Sequence, residues 1–224
     1  MKAFKPCFNI LPPAQQSLWV QLQPAAGLGF TLYGGTAIAL QLGHRESVDF
    51  DFFSERPIDR TALYQALPFL SDAKVLQDGK NAFSLTLPVQ GLGDVKFSFF
   101  GTIAFGRVAE PLLTEDGVLQ VASLDDLMAT KLKTILQRAE AKDYRDIAAM
   151  VEAGVSVTAG LAGAQIFFGN TFQPSESLKA MVYFEDGDLH TVTTRERALL
   201  IRAAGQVREL PLVSLKSNVL TISI

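Results

Sequence analysis

Two aspartates, Asp49 and Asp51, lie in a segment that alternates between apolar and acidic residues, VDFDFFS at 48–54. In a β-strand the side chains at positions i and i+2 lie on the same face, so this segment would place both carboxylates side by side. Two carboxylates that close repel each other unless a cation lies between them. Hard oxygen ligands suit Mg²⁺ or Mn²⁺, and such ions support in-line phosphoryl transfer. The alternative is an edge strand with one solvated, acidic face.

A Gly-Gly turn, Gly34-Gly35, follows a short β-rich segment and precedes a helical segment that starts at Thr36. Glycines in such a turn leave backbone N–H groups uncovered, and these can bind a phosphate at the N-terminus of a helix. The alternative is an ordinary strand-to-helix turn that Thr36 caps. The segment is not a P-loop, because Gly35 stands where that motif has the lysine that reaches the phosphates.

The composition narrows the chemistry that is open to the chain. It has 224 residues, of which 48% are hydrophobic and 19% are charged, so it can bury a core and is not intrinsically disordered. One cysteine and two histidines argue against a disulfide framework, a cysteine-rich zinc site and a Ser-His-Asp triad. The net charge of −3 excludes a generally basic nucleic-acid coat. Carboxylates, lysines, arginines and backbone amides remain.

The sequence predicts neither a membrane span nor a secretory signal in these residues. No apolar run approaches the ~20 residues that span a bilayer. The first residues, MKAFKPCFNILPPAQQ, have neither a long apolar stretch nor a small-residue cleavage site. We therefore expect a protein of a reducing compartment, the cytoplasm, without a membrane partner.

The helices and strands that the sequence predicts around the candidate residues indicate an α+β fold with a small mixed sheet. Residues 1–122 mix strands and helices, and residues 123–224 are mostly helical and would pack on that core. Turn signals at Asp78-Gly79 and at 91–93 predict hairpins. The expected strands are 30–33, 48–54, 73–77, 82–89, 95–100 and 119–122. The expected helices are 14–26, 36–42, 60–70 with Asp59 as cap, 123–138 with Ser123 as cap, 142–153, 158–168, 176–184 and 194–204.

The helical half contains a second group of candidates. Asp143 and Asp146 are three residues apart and therefore share a helix face. Lys142 and Asp146 are four apart and could instead pair on a solvated surface. The nearby cations form the one basic cluster that could bind a triphosphate or an RNA backbone, although such clusters are usually solvated helix faces. The cluster is Lys131, Lys133, Arg138, Lys142 and Arg145.

Together these motifs resemble those of a known family. A Gly-Gly turn followed, after a helix, by an acidic D-x-D strand resembles the polymerase-β-type nucleotidyltransferase superfamily. The longer string GGTAIALQLGHRESVDFDFF at 34–53 is similar to that of the AbiEii/AbiGii-type abortive-infection toxin nucleotidyltransferases. The later residues Lys131, Arg138 and KDYRD at 142–146 resemble that family's helical motif. The resemblance covers roughly residues 30–151.

The resemblance implies a Mg²⁺- or Mn²⁺-dependent nucleotidyltransferase that moves a nucleotide from an NTP to RNA such as tRNA, or to another hydroxyl. It also implies a toxin with an antitoxin protein as a partner. By the same resemblance, Gly34, Gly35 and Thr36 would hold the triphosphate, and Asp49 and Asp51 the metal. Lys131 would contact phosphate, and Asp143 or Asp146 would complete the site or act as base. Arg45 would contact phosphate, or else pair with Glu46 or Asp49.

One position departs from the superfamily pattern. A third carboxylate is expected on a neighbouring strand, where the natural candidate position holds Ser98, a neutral and weak ligand. Asp94 lies four residues earlier, some ~13 Å away along the strand. An alternative function is therefore a catalytically degenerate nucleotide-binding or interaction protein on the same scaffold. The acidic composition also leaves a small molecule open as the acceptor.

Overall fold

The computed structural model describes residues 2–222 and divides the chain into two compact units. The first unit contains the residues before Arg107, the stretch Glu110–Ala122 and the C-terminal residues from Ser217. The second contains Arg107–Ala109 and Ser123–Lys216. Within residues 2–222, no helix is both long and apolar enough to cross a membrane.

A mixed β-sheet is the framework of the first unit. Its order is β1-β7-β8-β2-β3-β6-β5-β4, and the predicted hairpins are the antiparallel pairs β4–β5 and β5–β6. The short strands β1 and β7, which pair in parallel at one end of the sheet, were not foreseen from the sequence. The strands are β1 Ala3–Phe4, β2 Thr31–Tyr33, β3 Asp49–Phe53, β4 Lys74–Asp78, β5 Ala82–Val89, β6 Gly93–Phe100, β7 Leu112–Thr114 and β8 Gln120–Val121.

Strand β3 lies inside the sheet, antiparallel to β2 and parallel to β6. Two of its three phenylalanines are fully buried and stack on phenylalanines of β6, Phe50 on Phe97 at 5.5 Å and Phe52 on Phe99 at 5.3 Å between ring centroids. A shift of the register by one residue would turn the carboxylates of β3 into this aromatic core. The aromatic pairs therefore fix the register of the two strands.

Two helices of the first unit are shorter than the sequence predicts. The expected helix over 14–26 is broken, because Trp19–Leu22 is a 3-10 turn and Pro24 starts a new helix. The expected helix over 60–70 ends at Ala66, two residues before Pro68, and Asp59 caps it by accepting from the Ala62 N–H. These helices are α1 Pro13–Leu18, α2 Pro24–Gly27, α3 Gly34–Leu42 and α4 Arg60–Ala66.

The second unit is helical. Ser123 caps its first helix as predicted, but that helix ends at Thr134 and not at Arg138. Close packing inside the unit depends on small residues: a Cβ atom on Gly160 would lie 2.3 Å from Met128 Cγ. The helices are α5 Leu124–Thr134, α6 Ala141–Glu152, α7 Val157–Phe168, α8 Pro174–Met181 and α9 Thr194–Gln206.

The start of α5 contains a buried acid, Asp126. Its carboxylate accepts from the Val108 N–H at 2.8 Å and from the Ser123 hydroxyl at 2.9 Å. Burial outweighs these hydrogen bonds and raises the pKa of Asp126 to about 6. The folded chain therefore binds this proton more tightly than the unfolded chain does. The stability that this provides is complete below the ordinary pKa of 3.8 and is lost as the pH rises through about 6.

Replacement of Asp126 by asparagine should remove this pH dependence. Asp126→Asn should flatten the fall in the free energy of unfolding between pH 4 and 7 by about 2–3 kcal/mol. Urea denaturation of the wild type and the variant at a series of pH values measures the difference. Asp125→Asn, an exposed acid on the same turn, serves as the control. A parallel pH profile for wild type and Asp126→Asn would contradict the prediction.

Candidate active site

Asp49 and Asp51 lie on one face of β3, as the alternation of the segment predicts. Both are partly exposed, whereas Phe50 and Phe52 on the other face are fully buried. Because β3 is an inner strand of the sheet, the alternative of an acidic edge strand is wrong. The aromatic face anchors the strand in the core, and the two carboxylates lie partly exposed on the other face.

Gly34 packs directly against one of these carboxylates. The residue before it, Tyr33, pairs with Asp51 across β2 and β3. Gly34 has φ +74°, and a Cβ atom there would lie 2.6 Å from Asp51 Oδ2. Glycine is therefore required twice, for its positive φ and for the space that the carboxylate occupies. Helix α3 starts at this glycine, so its first N–H groups lie beside Asp51.

Thr36 links the start of α3 to β3. The residue is 2% exposed, and its hydroxyl lies 2.7 Å from the Ser47 hydroxyl. The same hydroxyl donates to the Asp49 carbonyl oxygen. Thr36 therefore positions the turn against the carboxylate strand through its side chain. The half-buried Gly35 is the residue between this anchor and Gly34.

Ser98 occupies the position opposite Asp51. The parallel pairing of β3 with β6 sets Asp51 against Ser98, and β5 continues the row with Ser84. Both serines are buried. Asp94 is exposed at the start of β6, where it pairs with Pro88 and not with β3. Within the described part of the chain, no group of three or more histidine, cysteine, aspartate or glutamate residues could hold a metal ion.

Arg45 lies in the loop between α3 and β3. Its guanidinium donates to the backbone carbonyl oxygen of Glu46 at 2.9 Å. The side chain is partly exposed. Its predicted contact with phosphate stays a prediction.

In the second unit the structure brings Lys131, Asp143 and Asp146 together. The Lys131 ammonium lies 2.6 Å from Asp143 Oδ1 and 2.7 Å from Asp146 Oδ2. Lys131 is 5% exposed and both aspartates are fully buried. The suggested surface pair of Lys142 with Asp146 is wrong, because Lys142 pairs with Glu140 at 2.8 Å.

Arg138 completes this ionic group from the turn after α5. Its Nε donates to Asp143 Oδ2 at 2.8 Å and its Nη2 to Oδ1 at 3.2 Å, while its side chain is 45% exposed. Burial alone would raise the pKa of Asp143. The hydrogen bonds from Arg138 and the charge of Lys131 outweigh burial, and the pKa is lowered. Asp143 is therefore a carboxylate shared by a buried cation and a half-exposed one.

The remaining cations of the basic cluster make contacts elsewhere in the second unit. Lys133 donates to the Thr171 carbonyl oxygen, and Arg145 donates to the carbonyl and hydroxyl oxygens of Thr191. The expectation of one shared basic surface is therefore too simple, because burial and pairing separate these residues. Sequence reasoning missed Arg138 as a partner of Asp143, although the five-residue spacing across a helix boundary is compatible with such a contact.

Comparisons with known proteins identify the family of the chain. The family model described as nucleotidyl transferase AbiEii toxin, type IV toxin–antitoxin system, matches residues 18–210. The chain belongs to the AbiEii family. This AbiEii chain also resembles MenT4, a nucleotidyltransferase toxin of Mycobacterium tuberculosis H37Rv, with a TM-score of 0.60. The superposition covers 87% of this chain and 84% of MenT4 at 13% sequence identity, which supports the shared fold.

A curated relative is similar in sequence over a shorter stretch. It is an uncharacterized protein of Aquifex aeolicus (strain VF5), 32% identical over 120 residues. The match spans 53% of the AbiEii chain and 55% of the relative, about half the length of each.

Substitution of Gly34 should disturb the carboxylate and not only the backbone. Gly34→Ala would add a Cβ atom against Asp51, whereas Gly91→Ala at the same φ of +74° meets no atom within 4 Å. We expect Gly91→Ala to lose about 1–2 kcal/mol of unfolding free energy for its left-handed backbone. Gly34→Ala should lose more and should also weaken Mn²⁺ binding. Denaturant unfolding and Mn²⁺ titration measure both effects. Equal behaviour of the two variants would contradict the importance of the Asp51 contact.

Loss of the Lys131 charge should destabilise the second unit. Lys131→Met would leave two fully buried carboxylates without this partner, which should cost about 3–5 kcal/mol. Lys142→Met removes an exposed, paired lysine from the same region and should cost less than about 1 kcal/mol. Chemical denaturation of both variants tests this difference. A loss below about 1 kcal/mol for Lys131→Met would argue against a stabilising role for the pair.

Proposed function

We propose that this AbiEii chain transfers a nucleotide from an NTP to a hydroxyl group of an acceptor. The observation that carries the proposal is the contact of Gly34 with Asp51, which puts the start of helix α3 beside two carboxylates on one strand face. A helix start binds anions, and paired carboxylates bind divalent cations. A nucleoside triphosphate with its metal needs both kinds of group.

The carboxylates suit Mg²⁺, or Mn²⁺, as the cofactor. Asp49 and Asp51 are partly exposed on one face, and their oxygens are hard ligands. Mg²⁺ is usually held by one or two carboxylates together with substrate phosphates and water, so two aspartates suffice. When bound there, the ion would neutralise phosphate charge and activate the acceptor hydroxyl.

Each residue near β3 then has a separate task. The N–H groups that begin at the Gly34-Gly35 turn would bind the β- and γ-phosphates, and Thr36 would hold that turn against the Asp49 backbone. Asp49 and Asp51 would orient the metal and through it the reacting phosphate. Arg45 would add a cation at the loop between α3 and β3. The pyrophosphate would leave with its charge compensated by these donors.

The family model extends into the second unit, and by the family resemblance we propose Lys131, Asp143 and Asp146 as the functional residues of that unit. Lys131 would contribute positive charge for the phosphates. Asp143 and Asp146 hold its ammonium in the structure, and one of them would complete the site or act as base. Arg138, which shares Asp143, is the half-exposed cation of this group.

We also propose partners for this chain from its family membership. The AbiEii description names a toxin–antitoxin system, which supports an antitoxin protein as a partner. RNA such as tRNA is the acceptor that we propose, with a small-molecule hydroxyl as the other outcome of the test. Such a reaction would take place in the cytoplasm, where NTPs and RNA occur together.

The serine opposite Asp51 favours a second candidate function. Ser98 supplies no charge where the superfamily has a third carboxylate, so the chain would bind a nucleotide without turning it over. In that case NTP binding would be indifferent to Mg²⁺.

Incubation with each labelled NTP, Mg²⁺ and total RNA tests the proposed reaction. The wild type should label RNA, and Asp51→Asn should lower the rate about 100-fold or more, because it removes a metal ligand. Asp72→Asn also removes one negative charge, but from an exposed residue outside β3. This variant should keep the wild-type rate.

The outcomes of these experiments distinguish nucleotide transfer from nucleotide binding without turnover. If the wild type labels nothing, or if Asp51→Asn labels as fast as the wild type, the proposed transfer is wrong. Calorimetry that shows Mg²⁺-independent NTP binding without turnover would favour the degenerate protein. Labelled product that forms without RNA, on an added small hydroxyl compound, would identify a small-molecule acceptor.

A further inference from the structure

We propose that Lys96 is a phosphate-binding residue beside Asp49, one that contacts the triphosphate of the nucleotide. This inference rests on the proposed function and adds a residue to it. Its basis is the placement of Lys96 next to Asp49 by the pairing of two strands.

The strand register sets this neighbourhood. Parallel pairing of β3 with β6 puts Asp49 opposite Lys96 and Asp51 opposite Ser98. Neighbouring strands lie about 4.8 Å apart, and paired residues project from the same face. The stacked phenylalanines on the opposite face prevent a shift of this register. Lys96 therefore belongs to the same face as the two carboxylates.

The two sides of β3 now offer complementary groups for an anion. On one side β2 leads into Gly34, where the N–H groups of the helix start lie beside Asp51. On the other side β6 presents Lys96 beside Asp49. A triphosphate that binds the metal over the carboxylates would thus meet N–H donors at one flank and an ammonium group at the other.

The surroundings of Lys96 leave its charge suited to this task. The side chain is exposed, and the next strand sets the neutral Thr86 against it. Along β6 its neighbours on the same face are Asp94 and Ser98, and the serine adds no negative charge. A flexible lysine stem allows the ammonium to extend from the sheet toward a ligand. Repulsion between phosphates and carboxylates is reduced where a cation lies next to Asp49.

Lys96→Met should therefore have opposite effects on two ligands. Binding of inorganic tripolyphosphate, and of the four ribonucleoside triphosphates, should weaken about 10-fold at saturating Mg²⁺, because a charge-assisted contact is lost. Binding of Mn²⁺ alone should become about 2–3-fold tighter, because a cation that repels the metal is removed. Isothermal titration calorimetry measures the first effect and electron paramagnetic resonance of free Mn²⁺ measures the second.

Two further variants control for charge and fold. Lys80→Met removes the same charge from the turn between β4 and β5. Lys80 lies six residues before Thr86, the residue that pairs with Lys96. This variant should change either affinity by less than about twofold. Lys96→Arg keeps the cation and should restore most of the tripolyphosphate affinity. Circular dichroism melting curves establish that all variants fold.

The results distinguish this inference from the proposed function. If wild type binds neither tripolyphosphate nor any NTP, both are wrong. If wild type binds them and Lys96→Met binds them equally well, the role of Lys96 alone is wrong. If Lys96→Met weakens both tripolyphosphate and Mn²⁺, the lysine acts on the structure of the site and the inference also fails. Weaker phosphate binding with tighter Mn²⁺ binding supports it.

Discussion

The approach of the Gly34 backbone to the Asp51 carboxylate constrains everything else in the candidate site. Only a residue without a Cβ atom, with a positive φ, fits between β2 and α3 at this point. The buried hydroxyl of Thr36 then ties the same helix start to the backbone of Asp49. Two carboxylates and the N–H groups of a helix start are thereby held beside each other. This arrangement explains why the glycines and the aspartates occur at their particular spacing.

The sheet supports this contact from its other face. Alternation along β3 gives Phe50 and Phe52 to the core and leaves Asp49 and Asp51 on the opposite side. Stacking of the phenylalanines on β6 determines which residues of β6 stand next to the carboxylates. A packing interaction between aromatic rings therefore decides the electrostatics of the polar face. In the second unit, by contrast, the ions themselves are in the core, and Lys131 neutralises two buried carboxylates.

Local patterns predicted the parts of this structure that depend on neighbouring residues. The period of two in DFDFF was enough to place Asp49 and Asp51 on one face. Ser98 was singled out by the superfamily pattern, and its pairing opposite Asp51 comes from the structure. Helical periodicity continues through Pro24 and Pro68, but a proline lacks the N–H donor and its ring clashes with the preceding turn, so both helices break there. The pairing of Lys131 with Asp143 and Asp146 could not be predicted, because it depends on how α5 packs on α6. Helix spacing alone allowed a pair of Lys142 with Asp146, but the packing buries Asp146 against Lys131, and Lys142 pairs with Glu140.

The most direct test of the central claim is a crystal structure with Mn²⁺ and a non-hydrolysable NTP, in which anomalous scattering locates the metal. We predict a peak within about 2.5 Å of carboxylate oxygens of both Asp49 and Asp51. We also predict that phosphate oxygens accept hydrogen bonds from the N–H groups at the start of α3. A metal and a triphosphate bound away from β3, with the Gly34 turn and both carboxylates unused, would contradict this arrangement.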